Sequence, residues 1–157
     1  MEWSFGKVAV QANGTMNESK FAHFVSAQDE VYRDVLAELT SGRKVTHWMW
    51  FVFPQLAGLG ASFMAQKFAI ASLDEARAYL AHPTLRPRLL ECTKLVLSLP
   101  EVNVTRVLGS PDDVKFRSCM TLFSIADPAE PLFHAALAKY FDGVPDPRTM
   151  SLLEPRR

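Results

Sequence analysis

The chain has 157 residues, 48% of them hydrophobic, with 17 basic and 17 acidic side chains; this composition is typical of a globular domain and excludes a disordered chain. The charges are spread evenly, because residues 1–78 carry seven Lys/Arg and eight Asp/Glu and residues 79–157 carry ten and nine. We therefore expect no basic surface for duplex nucleic acid. The longest uninterrupted apolar run is the six residues 48–53, far too short to cross a membrane, and the N-terminus lacks a signal-peptide pattern.

Residues 1–17 show no sustained periodicity, and we predict a flexible N-terminal arm followed by a single domain at 18–157. Apolar residues recur at helical spacing over 21–39, and Gly42 follows as the left-handed residue that commonly ends a helix. The run 48–53 is ambiguous, because a short apolar block fits either a buried strand or a buried helical turn.

The rest of the chain predicts further helices at residues 61–70, 72–81, 84–97, 103–108, 111–125, 131–143 and 148–153. Ser72 and Glu75 form a capping box. Ser110 can cap the following helix, with Pro111 at its first position. Because the links are short and carry Pro or Gly, and because no segment alternates like a strand, we expect an all-α fold: a single compact multi-helix domain.

The aromatic segment HWMWFVFPQ, residues 47–55, is either core or the wall of a ligand site. On a helix, Trp48 and Trp50 point about 200° apart, so we expect one of them to reach another helix or a cleft. Gln55 adds a polar amide beside the aromatic wall, an arrangement that orients small ligands, and His47 adjoins it.

Gly58 and Gly60 flank Leu59 in a loop that follows the aromatic segment. A third glycine and a Gly-Lys-Ser/Thr motif are both missing, so the loop is not a dinucleotide or phosphate-loop fingerprint. The pair is either a plain turn or a turn whose exposed backbone amides bind an anion.

The densest polar cluster is DDVKFRS, residues 112–118. One interpretation is local, with Asp113 pairing with Arg117 one helical turn later. The other places Asp112, Lys115 and Ser118 on one helical stripe, where an aspartate acts as base, the lysine binds an anion and the serine donates a hydrogen bond. The candidate catalytic residues are therefore Asp112, Asp113, Lys115 and Ser118.

The two cysteines, Cys92 and Cys119, lie within apolar helical patterns and are expected to be reduced structural thiols of a cytoplasmic protein. The four histidines are scattered without paired ligand spacing. We therefore predict no metal site and no cofactor.

Four blocks of the sequence resemble the DUF1810 family: GRKVTHWMWFVFPQLAGLGASFMAQKFAI, SLDEARAYLAHPTLRPRLLEC, LGSPDDVKFRSCMTLF and FDGVPDPRTMSLL. The resemblance covers about residues 19–153. It implies an all-α fold, and hence a helix at 48–53, but no established activity. The residues that carry it are Trp48, Trp50, Phe53, Pro54, Gln55, Gly58, Gly60, Asp112, Asp113, Lys115, Ser118, Met120 and Phe123.

The sequence departs from the family pattern at Thr46, Arg86 and Cys119, where Ser, Gly and Ser are expected. None of these changes removes a candidate catalytic group, and Cys119 beside Ser118 adds a predicted oxidation site. Family members are sometimes labelled calpastatin, but an inhibitor of that kind is a repetitive, disordered chain, which this composition does not match.

The leading hypothesis is an enzyme or sensor that binds a nucleotide or ADP-ribose-like molecule between the 47–55 segment and the start of the 111–125 helix. The alternative is a non-catalytic protein-interaction module anchored by an exposed tryptophan. A small-molecule ligand is thus the expected partner, with no duplex nucleic acid and no membrane. The sequence leaves open whether the protein is an enzyme, and it leaves the oligomeric state open.

Overall fold

A computed structural model describes residues 20–155 of the chain. Within this range the protein is all-α, as predicted, and has no strand. The helices are α1 (Ala22–Ser41), α2 (Met49–Val52), α3 (Phe63–Lys67), α4 (Leu73–Leu80), α5 (Leu85–Leu97), α6 (Val104–Leu108), α7 (Asp112–Ala126), α8 (Pro131–Phe141) and α9 (Pro147–Leu153). The predicted arm at 1–17 lies outside the described residues.

The longest helix, α1, ends as the sequence predicts. Gly42 has a φ of 84°, in the left-handed region that glycine enters without a steric penalty, and its N–H is donated to the Leu39 carbonyl. The chain then turns back along the helix, and Lys44 N–H is donated to the Val107 carbonyl at 2.7 Å. The aromatic segment therefore starts close to α6 and to the beginning of α7.

The ambiguous run 48–53 forms a single helical turn, α2, which buries Met49, Phe51 and Val52. It ends at Val52 because the next residue, Phe53, precedes Pro54, and a residue before proline is disfavoured in helical geometry. Phe53 has φ −122° and ψ 72°, outside the helical region.

Helix α3 is shorter than the predicted 61–70. The Ser62 hydroxyl accepts a hydrogen bond from Ala65 N–H and fixes the first turn at Phe63. At the other end, Ile70 forms a parallel bridge with Leu56 instead of a helical turn. Its N–H is donated to the Gln55 carbonyl at 3.0 Å, so tertiary pairing replaces the last predicted residues of the helix.

Helix α7 begins one residue later than predicted, and the proposed cap is wrong. The helix starts at Asp112, Pro111 occupies the cap position after a cis peptide bond, and the Ser110 hydroxyl makes no cap to it. The first turn is closed instead by the Gly109 carbonyl, which accepts a hydrogen bond from Asp113 N–H at 2.8 Å.

Helix α7 lies at the centre of the molecule, where it packs against α4, α6, α8 and α9. Phe116, Cys119 and Phe123 on this helix are fully buried. Phe53 meets Phe116 edge to face with ring centroids 5.0 Å apart, so the aromatic segment packs directly against α7. Over residues 20–155, no helix is both long and apolar enough to cross a bilayer.

Candidate functional site

The structure brings the 47–55 segment and the start of α7 together. Besides the contact between Phe53 and Phe116, the Lys44 ammonium pairs with the Asp112 carboxylate at 2.8 Å. Lys44 lies three residues before the start of the aromatic segment, so this ion pair, which is mostly shielded from solvent, joins the two regions.

Two cavities open along this junction. The first, which we call the Gln55 cavity, has a volume of 280 Å³ and is lined by Gln55, Leu59, Gly60, Ala61, Ser62, Ala65, Pro111, Val114, Lys115, Ser118, Asp146 and Arg148. It places two cations, Lys115 and Arg148, around one carboxylate, Asp146. The predicted residues that share it are Gln55, Gly60, Lys115 and Ser118.

The second cavity, which we call the Trp50 cavity, has a volume of 380 Å³ and is lined by Lys44, Val45, His47, Trp48, Met49, Trp50, Leu108, Ser110, Pro111, Asp112 and Lys115. It too has two lysines for one carboxylate. The predicted residues that share it are His47, Trp48, Trp50, Asp112 and Lys115.

Lys115 borders both cavities and a small void of 10 Å³ that Trp50 and Gln55 also line. Its ammonium lies 5.2 Å from the centre of the Trp50 ring and 3.9 Å from the Asp112 carboxylate. The first distance is within the range of a cation–π contact, and the second is at the outer limit of an ion pair. Lys115 is thus the charged residue that the two cavities share.

The two tryptophans have different environments. Trp48 is fully buried, donates its indole N–H to Glu38 at 3.1 Å, and has the Lys44 ammonium 5.0 Å from its ring centre. Trp50 is only partly buried and borders the cleft. Of the two rings, Trp50 is therefore the one that a ligand can reach.

Glu38 fixes the backbone that precedes the aromatic segment. Its carboxylate accepts hydrogen bonds from Val45 N–H, Thr46 N–H, the Thr46 hydroxyl and the Trp48 indole, at 2.6 to 3.1 Å. Burial alone would raise the pKa of Glu38, but these hydrogen bonds outweigh it and lower the pKa to about 2. Thr46, one of the departures from the family pattern, keeps the hydroxyl that a serine would supply.

Ser118 faces a carboxylate that the sequence did not associate with it. Its hydroxyl donates to Asp146 Oδ2 at 2.9 Å, and the same oxygen accepts hydrogen bonds from the backbone and the hydroxyl of Thr149. Burial opposes ionisation of Asp146, yet the hydrogen bonds from Thr149 and Ser118 prevail and lower its pKa. Ser118 therefore contributes to a structural polar cluster at the start of α9.

Two of the predicted residues line neither cavity. Asp113 accepts a hydrogen bond from the Thr105 hydroxyl at 2.6 Å, on the side of α6. Gly58 has a φ of 98° and lies against Leu152, so its role is in the turn. The predicted pair between Asp113 and Arg117 is also wrong, because Arg117 donates to the carbonyls of Val144 and Pro145.

The cysteines are buried thiols, as their apolar setting predicts. Burial raises the pKa of Cys92 to about 12 and that of Cys119 well above its usual range. Cys119 has no exposed surface, so the prediction of an oxidation site beside Ser118 is wrong. In the described residues 20–155, no group of three or more His, Cys, Asp or Glu side chains is arranged to hold a metal ion.

Five polar or charged residues that line the cavities were not predicted as site residues: Lys44, Ser62, Ser110, Asp146 and Arg148. The Asp146-Pro147 pair was detectable as an N-cap followed by proline at the first helical position, where the structure starts α9. Nothing in the sequence indicates that Lys44 pairs with Asp112, because 67 residues separate them and each has closer charged neighbours.

The arrangement suits binding of an anion better than proton transfer. Asp112, the candidate base, is engaged by Lys44 and Lys115, and Ser118 is hydrogen-bonded to Asp146. The two cavities together, in contrast, have three cations, Lys44, Lys115 and Arg148, for two carboxylates, and they also have neutral polar side chains. These are the features of a site that attracts and orients a negatively charged small molecule.

Comparisons with known proteins agree with the fold. The chain is 51% identical to the conserved hypothetical protein Rv1873 from Mycobacterium tuberculosis, whose crystal structure matches with a TM-score of 0.85 over 87% of this chain and 97% of that one. No curated protein matches significantly. The sequence profile of DUF1810, described as a protein of unknown function, matches residues 18–153. Since that match covers most of the chain, the protein belongs to the DUF1810 family.

Proposed function

We propose that the protein binds a small anionic molecule with a flat ring, a nucleotide or ADP-ribose-like compound, in the cleft between the 47–55 segment and α7. The observation that carries the proposal is the position of Lys115, which lies between two cavities and against the Trp50 ring. A lysine supplies a charge for phosphate, and an indole supplies a face on which a base can stack.

The electrostatics of the cleft support an anion rather than a cation. Lys44 neutralises Asp112, so the Lys115 charge remains in excess in the Trp50 cavity. The chain as a whole has a formal net charge of zero, so this local excess is not a consequence of general basicity. Anions are attracted to a cleft of this kind because its walls are partly apolar and focus the field.

A thermal-shift titration with ADP-ribose, ADP, AMP and adenosine tests the proposal. A ligand bound only by the native state stabilises it by about 2.7 kcal/mol at one hundred times Kd, which raises Tm by several degrees. We expect the phosphorylated compounds to raise Tm and adenosine to have little effect, because adenosine has no phosphate that can pair with the Lys115 ammonium.

Two lysine variants make the titration specific. Lys115→Met removes the one cation that the two cavities share, and we expect it to abolish the response. Lys67→Met is the matched control, because Lys67 also lies over an aromatic ring, Phe68 at 5.4 Å, but borders neither cavity. No response in the wild-type protein, or an equal response in both variants, would contradict the proposal.

For the alternative, a protein-interaction module, the best candidate anchor is Phe63 and not a tryptophan, as the sequence had suggested. Neither Trp48 nor Trp50 has the full exposure that an interface anchor needs, whereas 78% of the Phe63 surface is exposed. If this alternative holds, a Phe63→Ser variant abolishes partner binding. If the nucleotide proposal holds, the same variant leaves the thermal response to nucleotides unchanged.

A further inference from the structure

We infer that the ligand spans both cavities across Lys115, and that it is a nucleoside diphosphate with a second sugar on its distal phosphate rather than a mononucleotide. This inference rests on the proposed function and adds the class of ligand. Its basis is that Pro111 and Lys115 border both cavities, and that the two cavities contain different polar groups.

The size of the cavities favours a ligand with two lobes. At 280 and 380 Å³, each cavity lies near the lower end of the range of about 300–1,000 Å³ for small-molecule sites. A ligand with two lobes can therefore occupy both cavities, with one lobe in each. Because Pro111 and Lys115 line both of them, a ligand that fills one cavity reaches the other directly over these two residues.

Lys115 is held loosely enough to rearrange around an anion. Its ammonium is 3.9 Å from Asp112, whereas Lys44 is 2.8 Å from the same carboxylate. The Lys44 side chain is 7% exposed and that of Lys115 is 23% exposed. When Lys115 turns towards a diphosphate, Asp112 therefore keeps the Lys44 partner, and no charge is left unpaired.

The polar groups of the two cavities assign the two lobes. The Trp50 cavity offers an aromatic face and a carboxylate already neutralised by Lys44, which suits a base and its adjoining phosphate. The Gln55 cavity adds the Arg148 guanidinium to the shared Lys115 and offers the Gln55 amide and the Ser62 hydroxyl. The distal phosphate can pair with these two cations, and the amide and the hydroxyl can bind the hydroxyls of a sugar attached to it, so the sugar belongs in this cavity.

Isothermal titration calorimetry with ADP-ribose, ADP and ribose 5-phosphate separates the possibilities. We expect ADP-ribose to bind about ten times more tightly than ADP, since each additional hydrogen bond to the distal ribose contributes a factor of about 3 to 10. Gln55→Leu should remove most of this advantage, so the ratio of the two affinities should fall towards one. Gln66→Leu is the control for a disturbance of the same loop, because this exposed glutamine borders neither cavity but donates a hydrogen bond to the carbonyl of Ala61, which lines the Gln55 cavity.

The possible outcomes are distinct. If ADP and ADP-ribose bind equally and Gln55→Leu changes neither, the ligand occupies one cavity; the inference is then overturned and the proposed function stands. If none of the three compounds binds, both fail. A circular dichroism spectrum and a Tm for each variant show whether it folds, and Gln55→Met replaces Gln55→Leu if the leucine variant does not.

Discussion

At the scale of single residues, the carboxylate of Glu38 has the clearest structural role. It accepts hydrogen bonds from two backbone amides, one hydroxyl and one indole, and so holds the turn that leads into the aromatic segment. A glutamine has nearly the same shape, but its amide nitrogen is a donor and would face those donors. The charge of Glu38, not its size, is therefore what the turn requires.

We predict that Glu38→Gln lowers the free energy of unfolding by about 2 kcal/mol at neutral pH, because the hydrogen bonds lost are made to a charged group. The pKa of Glu38 is lowered from 4.5 to about 2 in the folded protein. Its stabilising contribution is therefore complete above pH 4.5 and is lost as the pH falls towards 2. Urea denaturation of both proteins at pH 7, 4 and 3 should show the difference shrinking with acidification.

The control for this experiment lies on the same helix. Glu30 is exposed on α1, and Glu30→Gln should change the unfolding free energy by less than about 0.5 kcal/mol at each pH. If the difference between the wild-type protein and Glu38→Gln were independent of pH over this range, the hydrogen-bonded carboxylate would not be the source of the stability.

At the scale of helices, the sequence predicts elements well where the signals are local. Periodicity and Gly42 define α1, and Ser72 caps α4 through the amide of Glu75 as its capping motif predicts. One error comes from a contact between separate segments, because helix α3 stops early where Ile70 pairs with Leu56. The other error is local, because the Gly109 carbonyl and not the Ser110 hydroxyl closes the first turn of α7.

The candidate site shows the same division. Local reasoning placed Lys115 and Ser118 on one face of a helix, and it identified Gln55 and one of the two tryptophans, Trp48 or Trp50, as groups suited to a cleft. It could not connect Asp146 with Ser118, because the two lie 28 residues apart in the sequence. A cavity is lined by residues from several helices and loops. Sequence reasoning misses some of these residues because no local pattern connects them.

We predict that Asp146→Ala destabilises the protein more than an ordinary N-cap substitution. Asp146 both caps α9 and accepts hydrogen bonds from the buried hydroxyls of Ser118 and Thr149, so its loss should cost about 3 kcal/mol. Ser72→Ala removes a cap that lies at the surface and should cost about 1 kcal/mol. Equal losses in urea denaturation would contradict the cluster as a stabilising unit.

At the scale of the whole molecule, distant segments converge on α7. The rings of Phe53 and Tyr79 contact Phe116 and Phe123, which joins the aromatic segment and α4 to the central helix. The solved structure of the conserved hypothetical protein Rv1873, 51% identical in sequence, has the same overall fold. A shared fold does not identify the ligand of the cleft, because proteins with one fold can have different functions.

The Lys44–Asp112 ion pair links the two halves of this cleft, and a double-mutant cycle measures the link. Removing either partner of a pair that is mostly shielded from solvent leaves the other charge poorly compensated, so Asp112→Asn and Lys44→Met should each destabilise the protein, whereas the double variant loses both charges together. We expect a coupling energy of about 2 kcal/mol from urea denaturation.

The second lysine on the same carboxylate supplies the internal comparison. Lys115 is farther from Asp112 and more exposed than Lys44, so the cycle of Lys115→Met with Asp112→Asn should give a coupling below about 0.5 kcal/mol. A large coupling for Lys44 and a small one for Lys115 is the pattern needed if Lys115 is to leave Asp112 for an anionic ligand. If the two couplings were equal, Lys115 would be tied to Asp112 as firmly as Lys44, and binding an anion there would break an ion pair that stabilises the fold.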